Sequence, residues 1–262
     1  MADPDRLRKR ATFDAVAELY ARARPRYPRV VIDDVVELGG FVPGSRIVEI
    51  GPGTGQATAA LAERGLELTC VELGPQLAEV ARRELARYPA GRVVNADIEQ
   101  WEPDTLYDGV VAFNAFHWID PERRYELSAR LLRPGGALAL VKVAHVVPPG
   151  GDPFFLEAQE DYRAVGLAGD EPPPAPDDVA DLAAEFDGSG LFEPVIVRRR
   201  VVELDVTADE HVSLIGTFSN HLLMPPQQRD ELAARLRSRF ESRPGGTARK
   251  TVLHLVHVAR RR

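Results

Sequence analysis

Short apolar runs alternate with amphipathic stretches along most of the chain. Residues 5–24 place Leu7, Phe13, Val16, Ala17 and Tyr20 at helical spacing, which predicts a helix. Arg24-Pro25-Arg26-Tyr27-Pro28 ends it, since each proline pushes its predecessor out of the α region. A second helix is predicted over 29–38, stopped at Gly39-Gly40. Strands follow at 46–50, 67–72, 91–95, 107–113 and 136–144, with helices between them at 54–64, 75–87 and 121–132. Strands alternating with helices imply right-handed crossovers and a largely parallel sheet covered on both faces.

Residues 146–190 interrupt that rhythm with Pro148-Pro149-Gly150-Gly151 and Pro172-Pro173-Pro174, around a helix carrying Phe154, Phe155, Tyr162 and Val165. A strand at 194–205, helices near 208–216 and 225–240, and a last strand at 249–259 close the chain. The expected fold is a Rossmann-like α/β sheet of seven mostly parallel strands. Its parts are an N-terminal helical lid (1–40), a core (41–145), a partly helical cap that contributes one core strand (146–225), and a C-terminal helix and strand (226–262).

Composition narrows the function. The chain has 262 residues, 44% hydrophobic and 28% charged, with a formal net charge of -7 and one cysteine. Ordinary apolar content rules out global disorder, and a single Cys70 rules out a disulfide framework. The acidic balance opposes nucleic-acid binding, which needs a basic face. No apolar run approaches the roughly 20 residues of a spanning helix, and no apolar signal segment follows MADPDRLRKR. A cytoplasmic protein without membrane partners is expected. Arg198-Arg199-Arg200 and Arg260–Arg262 read as solvated charge, and no Cys/His/Asp cluster has metal spacing.

The chemistry concentrates in Arg46-Ile-Val-Glu-Ile-Gly-Pro-Gly-Thr-Gly-Gln56, a strand running into a glycine turn and a helix. Glycines allow a sharp turn and let a ligand approach the main chain. A dinucleotide site wants G-x-G-x-x-G. Here Gly55 comes one position early and Gln56 stands where that glycine belongs, which opposes a nicotinamide-dependent oxidoreductase. Glu49, just before the turn, would repel a diphosphate and attract a cation. The pattern therefore favours a cationic, phosphate-free nucleoside. Glu72, ending the second strand, can accept both hydroxyls of a ribose. Asp97, after the third, can accept from an adenine amino group, with Ile98 or Leu73 packed on the base. Each acid alone could equally be a helix cap or a loop acid; three behind successive strands form a set.

These residues resemble the class I S-adenosylmethionine-dependent methyltransferases. The resemblance rests on the Glu49–Gly55 turn, Glu72, Asp97-Ile98, the strand 108–113 and Leu131-Leu-Arg-Pro-Gly-Gly136, and covers about residues 40–145. The bacterial small-molecule branch is similar also in Tyr20–Pro28 and in Ala115-Phe-His-Trp-Ile-Asp120. The resemblance implies S-adenosylmethionine as cofactor, with Gly51, Gly53 and Gly55 at the turn, Glu72 on the ribose, Asp97 and Ile98 on the adenine, and Asn114 beside the methionine end. Tyr20 and Arg24 either reach the cofactor's carboxylate or are a surface aromatic and a solvated arginine. The implied reaction is in-line transfer of a methyl group to an O, N or C nucleophile of a small, partly apolar acceptor. A non-catalytic relative that only binds the cofactor stays open, and a homodimer is compatible with the sequence.

Phe116 and Trp118, after the fourth strand, either wall an acceptor pocket or pack the connection. Tyr27, Phe154, Phe218, His221 and Met224 complete the expected pocket, although the last three equally suit a helix-end loop. His117 reads either as a general base or as a structural histidine bonded to a loop carbonyl.

Overall fold

The computed structural model describes residues 8, 12–103, 105–167 and 172–262; Leu7 of the predicted first helix lies outside them. The strands are β1 (Arg46–Ile50), β2 (Glu67–Glu72), β3 (Gly91–Asn95), β4 (Tyr107–Phe113), β5 (Leu132–Val146), β6 (Ile196–Thr207) and β7 (Thr247–Arg260). They form one seven-stranded sheet in the order β3-β2-β1-β4-β5-β7-β6. Pairing is parallel from β3 through β5, with Glu49 opposite Cys70 on one side and Val111 on the other. Strand order reverses between β1 and β4, and the crevice outside the carboxyl ends at such a reversal is where α/β sheets bind ligands.

By its contacts the chain divides into two compact units. The first comprises residues 1–142, 181–200 and 255–262. Its helices are α1 (Ala17–Ala23), α2 (Arg29–Gly39), α3 (Thr58–Ala62), α4 (Pro75–Leu85), α5 (Arg124–Leu131) and α8 (Ala183–Ser189). Every residue of β1 and β2 after the first is buried, as strands covered on both faces require. Gly40 takes the left-handed conformation at φ 60° and closes α2 where the sequence predicts. Amphipathic α4 buries Leu77 and Val80 against Ala17 of α1, with Phe13 and Tyr20 packed alongside. Asp14 accepts hydrogen bonds from the backbone N–H groups of Gln76 (2.7 Å) and Leu77 (3.1 Å), and so caps α4 from a distant part of the chain. Arg83 pairs with Glu18, and Arg26 with Glu84 at 2.8 Å.

Two arginine clusters expected in solvent are structural instead. Arg198 and Arg200 both donate to Asp34, which is only 2% exposed, at 2.6 to 2.8 Å. A buried carboxylate needs such partners to stay charged. Arg260 donates to the Gly39 and Gly135 carbonyls, Arg261 to that of Leu132 and Arg262 to that of Gly190, so the terminal run satisfies exposed backbone acceptors.

The second unit comprises residues 143–180 and 201–254. Its helices are α6 (Phe154–Glu157), α7 (Gln159–Ala164), α9 (Ala208–Ile215), α10 (Ser219–Leu222) and α11 (Pro226–Glu241). Leu232, Leu236 and Phe240 recur every four residues along α11 and enter a core with Phe154, Phe155, Ile215 and Met224. Thr207 and Glu210 form a reciprocal capping box on α9. Among the described residues no helix is long and apolar enough to cross a membrane.

Candidate active site

β1 ends in a turn whose alternate positions call for glycine. Gly51, Gly53 and Gly55 have φ of 59°, 60° and 92°, the left-handed region that side chains disfavour. Space is equally restrictive at Gly51, where a Cβ would lie 2.9 Å from that of Ala115, so the turn presses on the exit of β4. At Gly53 a Cβ would face the Tyr20 ring at 3.5 Å. The irregular stretch continues to Ala57, so α3 begins at Thr58 and not at 54 as the sequence predicts.

Two buried carboxylates flank this turn. Glu72 accepts from the backbone N–H of Gly53 at 3.0 Å and from that of Gly74 at 2.9 Å. Glu49 is 1% exposed. Burial pushes its carboxyl up to about 7, opposed by Thr58 and by Cys70, whose thiol donates at 3.6 Å, and reinforced by the nearby charge of Glu72. Cys70 is pushed well up in turn, by burial and by Glu49.

Past β2 and β3, Asn95 donates to the carbonyls of Glu72 and Leu73, both at 2.9 Å, which ties the two strand exits together. Asp97 accepts from the N–H of Glu99 at 3.1 Å. Leu73, at 36% exposure, is a large apolar side chain left at the surface beside them, whereas Ile98 packs in the main core.

The N-terminal segment supplies the other wall. The Arg24 guanidinium lies 4.8 Å from the Tyr20 ring centre. Burial raises the Tyr20 hydroxyl, with Arg24 opposing and Glu72 adding to the shift. Tyr27 is pushed up further by burial and by Tyr20, and also feels Arg24 and Glu49. Its ring packs at a tilt against Phe113, the last residue of β4, with centroids 4.9 Å apart. Phe13 meets Tyr20 edge-on at 6.1 Å and Trp118 at 5.4 Å. Asn114 is the one non-glycine with positive φ (53°) among the described residues, and its N–H donates to Val141 at 2.7 Å. Asn is among the few side chains that tolerate this left-handed conformation.

His117 sits on a short 3-10 turn with Phe116 and Trp118. The residue reaches solvent, yet its ring is hemmed in by protein. That desolvation, with the cations of Arg124 and Lys142, pushes it down to about 4. Phe116 is buried in the main core, edge-on to Tyr125 at 5.1 Å.

The structure thus brings Tyr20, Arg24, Tyr27, Glu49, Gly51, Gly53 and Glu72 together, with Asn114 and Trp118 adjoining them through Ala115 and Phe13. Gly55 faces Glu84 of α4, where a Cβ would lie 3.4 Å from the Glu84 Cβ. Phe154, Phe218, His221 and Met224 belong to the second unit. There Phe154 is fully buried against Phe240, Met224 is a core residue, and His221 sits between Tyr162 and Phe218. The cap by Asp14 and the contact of Phe13 with Trp118 escape local patterning, because both join segments far apart in the chain.

Residues 48–140 match the family model described as a methyltransferase domain. An uncharacterized methyltransferase of Mycobacterium tuberculosis is 35% identical over 130 residues, 50% of this chain and 51% of the relative. A malonyl-[acyl-carrier protein] O-methyltransferase of Geobacter sulfurreducens is 30% identical over 158 residues, covering 59% of this chain and 54% of that protein. The chain spans about half the length of these curated relatives. Among solved structures, a SAM-dependent methyltransferase from Geobacter sulfurreducens in complex with S-adenosyl-L-homocysteine shares the fold. Its TM-score is 0.51 at 17% identity, with 92% of this chain and 93% of that one covered. Residues 48–140, which hold the glycine turn and its trailing acids, are thus similar to a methyltransferase domain.

Proposed function

We propose that the chain is an S-adenosylmethionine-dependent methyltransferase acting on a small, partly apolar molecule. The observation that carries this reading is the pair of buried carboxylates, Glu49 and Glu72, set around a turn of left-handed glycines. Two buried acids repel a diphosphate and suit a cationic nucleoside. The surroundings fit the same group: carboxylates such as Glu72 and Asp97 are acceptors suited to ribose hydroxyls and to an adenine amino group, and exposed Leu73 offers a face to a base. Arg24 lies beside Tyr20, where the family resemblance puts the cofactor's carboxylate. When bound, S-adenosylmethionine supplies a methyl group on a positively charged sulfur, which an O, N or C nucleophile of the acceptor displaces in line.

The chain's part is mainly to position and to exclude water. Holding two reactants in line can lower a barrier by about 7–11 kcal/mol, whereas a general base adds about 10²–10⁴-fold. Tyr27 and Trp118 are aromatic walls suited to an apolar acceptor, and their faces attract a cation. His117 is neutral at pH 7 and able to take a proton, but a conjugate acid at about 4 makes it a weak base.

Isothermal titration with S-adenosylmethionine and S-adenosylhomocysteine tests the reading. Saturable one-to-one binding of both is expected, and no heat at millimolar concentration would overturn it. Binding without turnover across acceptor panels would favour a cofactor-binding, non-catalytic role.

A further inference from the structure

A second cleft opens at the opposite edge of the sheet, where β1 to β4 begin. It encloses about 380 Å³ and is lined by Arg46, Glu67, Thr69, Arg92, Tyr107 and the turn at Pro89–Gly91. Arg46, Glu67 and Tyr107 each open their strand, so parallel pairing gathers them at one edge.

Hydrogen bonding in this cleft leaves a surplus of donors. Arg92 gives its Nε–H to the Thr69 hydroxyl at 3.1 Å and one Nη2–H to the Tyr107 hydroxyl at 3.5 Å. Tyr107 passes its own proton to the Thr69 oxygen at 3.3 Å. Thr69 therefore accepts twice, and its O–H finds no acceptor among the described residues. The Arg46 guanidinium rests against the Tyr107 ring, 5.5 Å from its centre, with no hydrogen-bond acceptor among the described residues. Neither arginine has an ion-pair partner among them. Asp108, the nearby acid, is taken by Arg133 at 2.5 Å and by the backbone N–H of Arg46 at 2.7 Å. Glu67, exposed, is the acid on the lining itself.

Neutral hydroxyls thus hold the Arg92 fork in place without cancelling its charge. A guanidinium so oriented matches the paired oxygens of a phosphate or carboxylate, and charge-assisted bonds of this kind are the strong ones. Thr69 and Tyr107 are themselves almost wholly buried, so the base of the cleft is built and not a chance meeting of surface side chains. From this donor surplus we infer that the cleft at the amino-terminal edge of β1–β4 binds a multiply charged oxyanion, a phosphate or carboxylate group of a small metabolite. This site is separate from the glycine turn and does not depend on the methyl-transfer reading.

The probes are inorganic pyrophosphate and citrate, titrated calorimetrically into the full chain at constant ionic strength, with sodium chloride as the control for screening. Saturable one-to-one binding of either supports the site. Pyrophosphate alone assigns phosphate, citrate alone assigns polycarboxylate, and both assign oxyanions generally. Arg92→Gln and Arg46→Gln should each weaken that binding by about tenfold or more, while Glu67→Gln should strengthen it by removing a like charge. Far-UV circular dichroism and thermal unfolding report that the variants are folded. No saturable binding of either probe would overturn the inference, as would affinity unchanged in both arginine variants.

Discussion

The Oε2 atom of Glu72 accepts the backbone N–H of Gly53 at 3.0 Å, so the acid that ends β2 also holds the turn that follows β1. A side chain proposed to bind ribose is at the same time a brace for the glycine loop. Glu72→Ala should lose both, and donor affinity should fall by about 10²-fold or more. Glu72→Gln, which keeps one accepting oxygen, should fall by about tenfold. Titration calorimetry reads the difference; equal losses in the two variants would remove the bracing role.

Glu49 gives two pH dependences of opposite sign. Its carboxyl titrates near 7 in the folded chain against an ordinary 4.5, so the folded state holds a proton that the unfolded state releases. Stability from this group is therefore greatest below about pH 4.5 and falls as pH rises through 7, by about 3 kcal/mol in total. Glu49→Gln should flatten that part of a denaturation series. A cationic donor prefers the ionised acid, so its affinity should rise with pH across the same window, with proton release measurable in buffers of different ionisation enthalpy.

Asp14 caps α4 from the N-terminal segment, and its loss should cost about 0.5–2 kcal/mol in chemical denaturation. The same bond seats the segment that bears Tyr20 and Arg24. Asp14→Ala should therefore weaken donor binding as well, although Asp14 is not among the residues assigned to the donor. Unchanged affinity would show that the segment is held by its apolar and ionic contacts alone.

His117, held down to about 4, should show no titration between pH 5 and 8 in proton NMR. A methyl-transfer rate that depends on its neutral form would then decline only near pH 4. His117→Ala should cost at most about 10²-fold, the lower end for a general base. Full activity in that variant would dismiss it as a base; a loss above 10⁴-fold would mean that positioning is not the main contribution.

The parallel core was legible in the sequence because buried strands are short, apolar and punctuated. β1, β2, β3 and β4 begin and end where their patterns predict. Helix ends were less legible. α3 starts late because its first expected turn is occupied by the glycine stretch, and α8, with Gly188 and Ser189 at its end, carries no strong helical pattern. The acids were readable from their place behind successive strands. The cap by Asp14, the pairing of Asp34 with Arg198 and Arg200, and the burial of Phe116 arise only when distant segments meet, and local periodicity holds no record of them.

Cys70 turns this arrangement into an instrument. The chain's only thiol is fully buried in β2 beneath Glu49, and it is held protonated there. A thiolate reagent can reach it only when the strand beside the site opens. The labelling rate of the unmodified protein is thus a clock for local opening, and any ligand that binds only the closed form slows it in proportion to its saturation. Donor affinity could be read from the protein's own sulfur, with no acceptor identified and no label introduced.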